Sequence, residues 1–335
     1  VSAVRTAVIG LGLIGGSLLR ALAAAGHAAL GYDADPATRA MARTAAAKAP
    51  AGARWQVSGA ARDAIAGADL LALAVPLPAV PGVLDDVAAS GYTGLVTDVT
   101  SVKGPVRDHV ARRAARFGRL AGFVGGHPMA GRETSGFGSA DPDLFRGCAW
   151  VLCLEPQETD TRDWLTLASL VTTLGARVVP STAAEHDRAV AVVSHVPHLL
   201  ATALAGYAAA DPLALTLAAG SFRDGTRVAQ SPPPLTAAMC GGNAAAVRTA
   251  LDAVLESLGA ARQALDGPDP IGALLPWLSP RARARSAWPP VPSEPVELPA
   301  APDVLLRLGR AGGWVVSVSP DLRTVQAARP VAPEA

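Results

Sequence analysis

Thr6-Ala7-Val8-Ile9-Gly10-Leu11-Gly12-Leu13-Ile14-Gly15-Gly16-Ser17 decides the fold. A short apolar run (6–10) reads as a strand, residues 16–26 read as a helix, and between them lies G-x-G-x-x-G. Gly10 permits the tight turn, Gly12 lets the backbone approach a pyrophosphate, and Gly15 lets helix and strand pack closely. The helix N-terminus then presents unpaired N–H groups to the phosphates. Residues 28–32 read as the second strand, and Asp33 stands at its end, about twenty residues beyond the glycines. A carboxylate there accepts hydrogen bonds from the ribose hydroxyls and repels a 2′-phosphate, so NAD is expected over NADP. The other readings are an ordinary turn for Asp33 and, for Arg39, a reach toward that phosphate. The expected cofactor contacts are Gly10, Gly12, Leu13, Ile14, Gly15, Asp33 and Val75.

Outward from this turn, Asp35 before Pro36 is placed to cap a helix. Compact apolar runs follow at 70–75, 94–99, 149–154 and 177–179, with a helical pattern at 161–174. The expectation is an α/β protein whose residues 1–181 form a Rossmann-type doubly wound sheet binding a dinucleotide. From Thr182 the strand signals vanish, and Ala/Leu/Val-rich segments at 183–208, 212–220, 233–239 and 243–265 read as packed helices. Residues 182–278 are therefore expected to be an all-helical domain. The stretch 189–210 lacks formal charge but holds Ser194, His195, Pro197 and His198, so helices buried on most sides are favoured over a membrane span. Residues 279–335 read as a proline-rich linker and a short extension, with one helix and a hairpin at 312–318 and 324–328.

Twenty-nine basic against twenty-eight acidic residues leave a net charge of +1, too balanced for an electrostatic nucleic-acid binder. Only 4% of the chain is aromatic while 50% is hydrophobic, so the core must be built from Ala, Val and Leu. Cys148, Cys153 and Cys240 have no metal-ligand spacing and read as reduced thiols of a cytoplasmic protein. No metal site and no signal peptide are expected.

In Gly125-Gly126-His127-Pro128-Met129-Ala130-Gly131-Arg132-Glu133-Thr134-Ser135-Gly136, a histidine lies between glycines and a proline, which predicts a loop at the C-terminal edge of the sheet. His127 there is either a general base, with a titration near 6–7, or a loop histidine bonded to a backbone carbonyl. This segment, the opening GLGLIGGS, DVTSVKG (98–104), SHVPH (194–198) and FRDGTRVA (222–229) together resemble the prephenate/arogenate dehydrogenase family of tyrosine biosynthesis, over about residues 4–265.

The resemblance implies an NAD(P)-dependent oxidative decarboxylation of a cyclohexadienol. It implies His127 as the base on the ring hydroxyl and Ser101 as the serine that helps orient it. It further implies Arg227 as the carboxylate-binding arginine, Ser194, His198 and Asp224 as pocket residues, and Glu133 as an acid at the pocket mouth. The resemblance implies that residues 182–278 are the substrate and dimerisation domain: family members form dimers through the helical region, so a homodimer is expected. Two positions depart from the family pattern: Thr236, where some members carry an aromatic residue, and Arg132, where a small polar residue is usual. Both bear on whether the substrate is prephenate, with a keto group, or arogenate, with an ammonium; Arg132 favours the former. A β-hydroxyacid dehydrogenase or imine reductase shares only the architecture, since a G-x-x-K-x-x-N helix has no counterpart here. A nucleotide-binding protein without catalysis is disfavoured by Ser101, His127 and Arg227.

Overall fold

The structure, a computed structural model, describes residues 4–117, 122–132 and 134–331. β1 (Thr6–Ile9) is buried along its whole length, as a central parallel strand covered on both faces must be. α1 (Leu13–Ala24), β2 (Ala29–Tyr32), α2 (Pro36–Lys48), β3 (Gln56–Val57), α3 (Ala61–Ala66), β4 (Leu70–Leu73), α4 (Val80–Ala89), β5 (Leu95–Asp98), α5 (Gly104–Phe117) and β6 (Gly122–Val124) follow. Asp35 caps α2 as expected, accepting hydrogen bonds from the backbone N–H of Ala37 and Thr38, with Pro36 in the first turn. Among the described residues the strand order is β3-β2-β1-β4-β5-β6, all parallel. The order reverses between β1 and β4, and a ligand crevice opens at such a switch point.

The chain then starts a second sheet. β7 (Gly126–Pro128) runs antiparallel to β8 (Ala149–Cys153), and α6 (Thr161–Thr173) carries the chain to β9 (Arg177–Ser181), parallel to β8. His127 therefore lies on a strand, not in a loop, paired with Val151. Gly and Pro disfavour strands, but β7 is a three-residue edge strand, where proline costs no ladder bond it needs. Glycine is required at 126: a Cβ there would stand 2.7 Å from the Asp98 carbonyl oxygen.

The helical region comprises α7 (Ala183–Val190), a π-helical turn (Ala191–His195), α8 (Val196–Ala208), α9 (Pro212–Thr216), α10 (Gly220–Thr226), α11 (Pro233–Gly242), α12 (Ala244–Leu265) and α13 (Pro270–Ser286). Thr182 and Glu185 form a capping box at the start of α7. The burial expected of the apolar run 183–208 is not found within one chain. Val193 is 67% and Tyr207 85% exposed, because too few neighbouring helices cover this face.

The expected linker is also revised. Residues 279–286 continue α13, with Pro276 and Pro280 inside the helix, and β10 (Val296–Pro299), α14 (Pro302–Arg310), β11 (Trp314–Val318) and β12 (Thr324–Ala328) follow. These strands extend the second sheet in the order β10-β12-β11-β9-β8-β7. Leu305, Leu306 and Leu308 of α14 join the main core with Val315, Val325 and Ala327. The C-terminal segment is thus part of the dinucleotide-side core, built from residues some 150 positions away.

Candidate active site

The turn between β1 and α1 has the geometry its glycines require. Gly10 has φ +97°, and a Cβ there would stand 2.5 Å from the carbonyl oxygen of Ala74, just past β4. At Gly15 a Cβ would lie 1.9 Å from the Gly10 oxygen, so helix and strand touch only because it is absent. Around Gly12 nothing lies within 4 Å of a Cβ position. The first turn of α1 carries no acidic residue, and its cap makes no side-chain bond. With no side chain capping them, its first N–H groups are left for an anion.

Asp33 accepts the Leu11 N–H on Oδ2 (2.7 Å) and the Asp35 N–H on Oδ1 (2.8 Å). That ties the end of β2 to the glycine turn and leaves lone pairs on both oxygens for hydroxyls. Arg39 donates to the carbonyls of Asp33 (2.6 Å) and Ala34 (3.0 Å) and lies 5.5 Å from the Tyr32 ring. Its Nη1 is thus committed to the backbone. Leu13 and Ile14 are half-buried at the helix start, and Val75 follows β4 beside Gly10. These residues converge at the β1/β4 crevice and fit a dinucleotide.

One strand further along the sheet, β5 delivers Asp98, and the turn after it holds Ser101 and Lys103. Lys103 is a fully buried cation. Its Nζ bonds Asp98, Thr100 Oγ1 (3.0 Å) and the carbonyl of Gly126 (2.6 Å). Asp98 Oδ1 also accepts the Gly126 N–H (3.3 Å). The pair therefore holds both backbone groups of the residue before His127. Burying an ion pair is costly, and this one fixes the backbone that carries His127.

His127 Nδ1 lies 2.8 Å from His186 Nε2, and His186 Nδ1 lies 2.7 Å from Asp187 Oδ1. Asp187 also accepts the N–H groups of Lys103 (2.9 Å) and Gly104 (2.8 Å). Burial lowers the His127 pKa well below the ordinary histidine value, with His186, Lys103 and His195 acting in the same direction. His186 is also lowered, chiefly by burial, against the pull of Asp187. The expected titration near 6–7 is thereby moved downward. Burial alone would raise Asp187, but the His186 bond and the two N–H donors outweigh it and hold the carboxyl low.

In the helical region, His198 Nδ1 bonds the Ser194 carbonyl (2.8 Å), and Ser231 Oγ lies 3.4 Å from His198 Nε2. Pro197 stands in the first turn of α8, which allows Ser194 and His198 their common side. Ser194 Oγ faces the Met239 sulfur at 4.0 Å. Asp224 is exposed on α10 in an ion pair with Arg223 (3.2 Å), and Arg227 is exposed at the start of a 3₁₀ turn. Glu133 lies outside the described residues. Arg132 is paired with Asp141 at 2.5 Å, which compensates the charge expected to select against an ammonium. His195 is buried against Asn243 Nδ2 (3.2 Å), and burial pushes it down to about 4.

His186, Asp187 and the buried role of Lys103 were not read from the sequence. Glu185-His186-Asp187-Arg188 at a helix start has the pattern of a solvated face, and only packing against β7 and the 101–104 turn turns two of these residues inward.

Residues 18–180 match the family described as prephenate dehydrogenase, nucleotide-binding domain, and residues 182–271 the prephenate dehydrogenase dimerization domain. A prephenate dehydrogenase of Lactococcus lactis is 37% identical over 170 residues, 49% of this chain and 45% of that protein. The chain spans about half the length of this relative. A cyclohexadienyl dehydrogenase of Zymomonas mobilis is 30% identical over 276 residues, 78% of this chain and 89% of its own. The crystal structure of prephenate dehydrogenase from Aquifex aeolicus, in complex with hydroxyphenyl propionate and NAD+, superposes with a TM-score of 0.73 at 25% identity, covering 85% of this chain and 98% of that one.

Proposed function

The chain belongs to the prephenate dehydrogenase family, and we propose that it catalyses the NAD-dependent oxidative decarboxylation of prephenate to 4-hydroxyphenylpyruvate in tyrosine biosynthesis. Bound NAD supplies the hydride acceptor, and carbon dioxide leaves from the ring carbon opposite the hydroxyl as the ring becomes aromatic. Gly10, Gly12, Leu13, Ile14, Gly15 and Val75 hold the cofactor, and Asp33 takes its ribose hydroxyls. His127 receives the proton of the ring hydroxyl on Nε2, and Ser101 helps orient that contact. Arg227 offers a planar fork to a substrate carboxylate. Ser194, His198 and Asp224 line the pocket, and Glu133 matches the family's acid at the pocket mouth. The protein works as a cytoplasmic homodimer through the helical region.

The observation that carries this reading is the state of His127. Its Nδ1 is taken by His186, while its Nε2 makes no hydrogen bond among the described residues and is not sealed from solvent. A neutral imidazole with one committed and one open nitrogen is the arrangement a general base needs. The pairing of Arg132 with Asp141 favours a second reading, arogenate as substrate, because no uncompensated cation at 132 opposes an ammonium. Initial rates with prephenate and arogenate, each with NAD and NADP, decide. Prephenate with NAD is expected to give the highest kcat/KM, and Asp33→Ser to narrow the gap between cofactors. Faster turnover of arogenate would replace the substrate assignment, and equal use of both cofactors by the unmodified protein would remove the role given to Asp33.

A further inference from the structure

We propose that His186 and Asp187 are positioning residues that lock His127 in the Nδ1–H tautomer and so aim its Nε2 lone pair at the reacting hydroxyl. The inference rests on the assignment of His127 as the base and adds what makes it one.

The hydrogen bonds leave a single consistent placement of protons. Asp187 takes the N–H groups of Lys103 and Gly104, so its oxygens act as acceptors. His186 Nδ1, 2.7 Å from Asp187 Oδ1, must then be the donor in that bond. His186 is buried and its pKa is lowered, so it carries one proton, and its Nε2 is left as an acceptor. His127 Nδ1, 2.8 Å from that Nε2, must in turn be protonated. The lone pair of His127 is therefore on Nε2.

When Nε2 takes the substrate proton, His127 becomes an imidazolium whose Nδ1–H still points at His186. His186 stays neutral and donates to the carboxylate. No proton leaves the array, and the new charge is met by an aligned imidazole dipole and a buried anion. The other charged or titratable groups around the pair are Lys103, Asp98 and His195. Lys103 is held by Asp98, and His195 by Asn243. The two rings meet edge to face, with centroids 5.1 Å apart, a geometry that aligns the N–H with the acceptor.

The test has two independent arms. Nitrogen-15 spectra of histidine-labelled, ligand-free protein read the tautomer directly: His127 is expected as Nδ1–H in the unmodified protein and predominantly as Nε2–H in His186→Phe. In the second arm, His186→Phe is expected to lower kcat about 10²-fold, below the loss seen when the buried carboxylate partner of a catalytic histidine is neutralised, with KM changed less than threefold. His186→Gln, whose amide oxygen can accept the same bond, is expected to recover at least tenfold of that loss. A His127 found as Nε2–H in the unmodified protein, or a kcat within twofold in His186→Phe, overturns the proposal. Should His186→Phe not fold, the tautomer of the unmodified protein and the kcat of His186→Gln still decide it. Failure of prephenate and arogenate turnover by the unmodified protein would refute the functional assignment instead, and the tautomer measurement would stand apart from it.

Discussion

At the residue scale, His127 combines low basicity with a fixed direction. Its low pKa keeps it neutral well into acid, and neutral is the form that accepts a proton. The sign follows: activity persists as pH falls through 6.5 and is lost only where His127 itself protonates. The acid limb of kcat/KM for the free enzyme is therefore expected below the ordinary histidine range. His127→Asn should remove that limb and cut kcat by about 10²–10⁴-fold with a modest change in KM. A limb that survives in the variant would assign it to another group and make His127 a structural residue. Arg227 behaves differently because it is exposed in the single chain. Its charge is well screened, and Arg227→Ala is expected to raise KM while changing kcat little.

At the scale of elements, close approach decides what the sheet edges can do. α14 lies so near β9 that a Cβ on Gly309 would stand 1.8 Å from the Pro180 carbonyl oxygen. In α4, Gly82 is exposed and a Cβ there meets nothing within 4 Å. Alanine is the better helix former at both sites, so helix propensity alone predicts a gain of about 0.5–1 kcal/mol at each. Packing reverses the sign at one of them. Gly82→Ala is expected to stabilise by that amount, whereas Gly309→Ala should cost about 1–3 kcal/mol through overpacking. Paired urea unfolding curves check this, and a stabilised Gly309→Ala would mean that α14 does not dock on β9. The same contact explains why the C-terminal segment is not a loose strap: its helix and hairpin complete a sheet whose other edge carries His127.

At the scale of the whole molecule, the two halves differ in how they hide apolar surface. The α/β half buries its leucines and valines within one chain, with Leu11, Leu19, Leu71 and Leu152 fully enclosed. The helical half does not: Val193, Tyr207, Leu217 and Ile271 stand more than half exposed, in the π-helical turn, on α8, after α9 and on α13. Exposed apolar area of this extent marks an interface, and this half matches a dimerization domain. A homodimer with an interface above about 2,000 Å², the obligate range, is expected. Light scattering at micromolar concentration should return twice the chain mass, and a stable monomer would refute the assembly.

The order of local signals along the chain was enough to specify the first parallel sheet around β1, β2, β4 and β5 with its glycine turn. Glycines at 10, 12 and 15, an acid at 33 and apolar runs at regular spacing each act through backbone sterics or short-range capping, which depend little on distant residues. His127 stood out in the sequence as a histidine among glycines and a proline, although the loop this setting predicted is a strand, and Ser101 entered only through the family resemblance. The tertiary structure alone decided that His127 sits on a strand, that Lys103 is buried beneath it, and that His186 and Asp187 turn inward to meet it. A polar run such as 185–188 at a helix start has the same local preferences whether it faces water or a core. Only the packing of α7 against β7 and the β5–α5 turn, joining residues about 60 and 84 positions apart, gives it partners. The recruitment of residues 296–328 into the sheet beside β9 was hidden for the same reason: strand pairing across such a separation leaves no mark in either segment, because a strand's pattern records which face is buried and not which neighbour it pairs with.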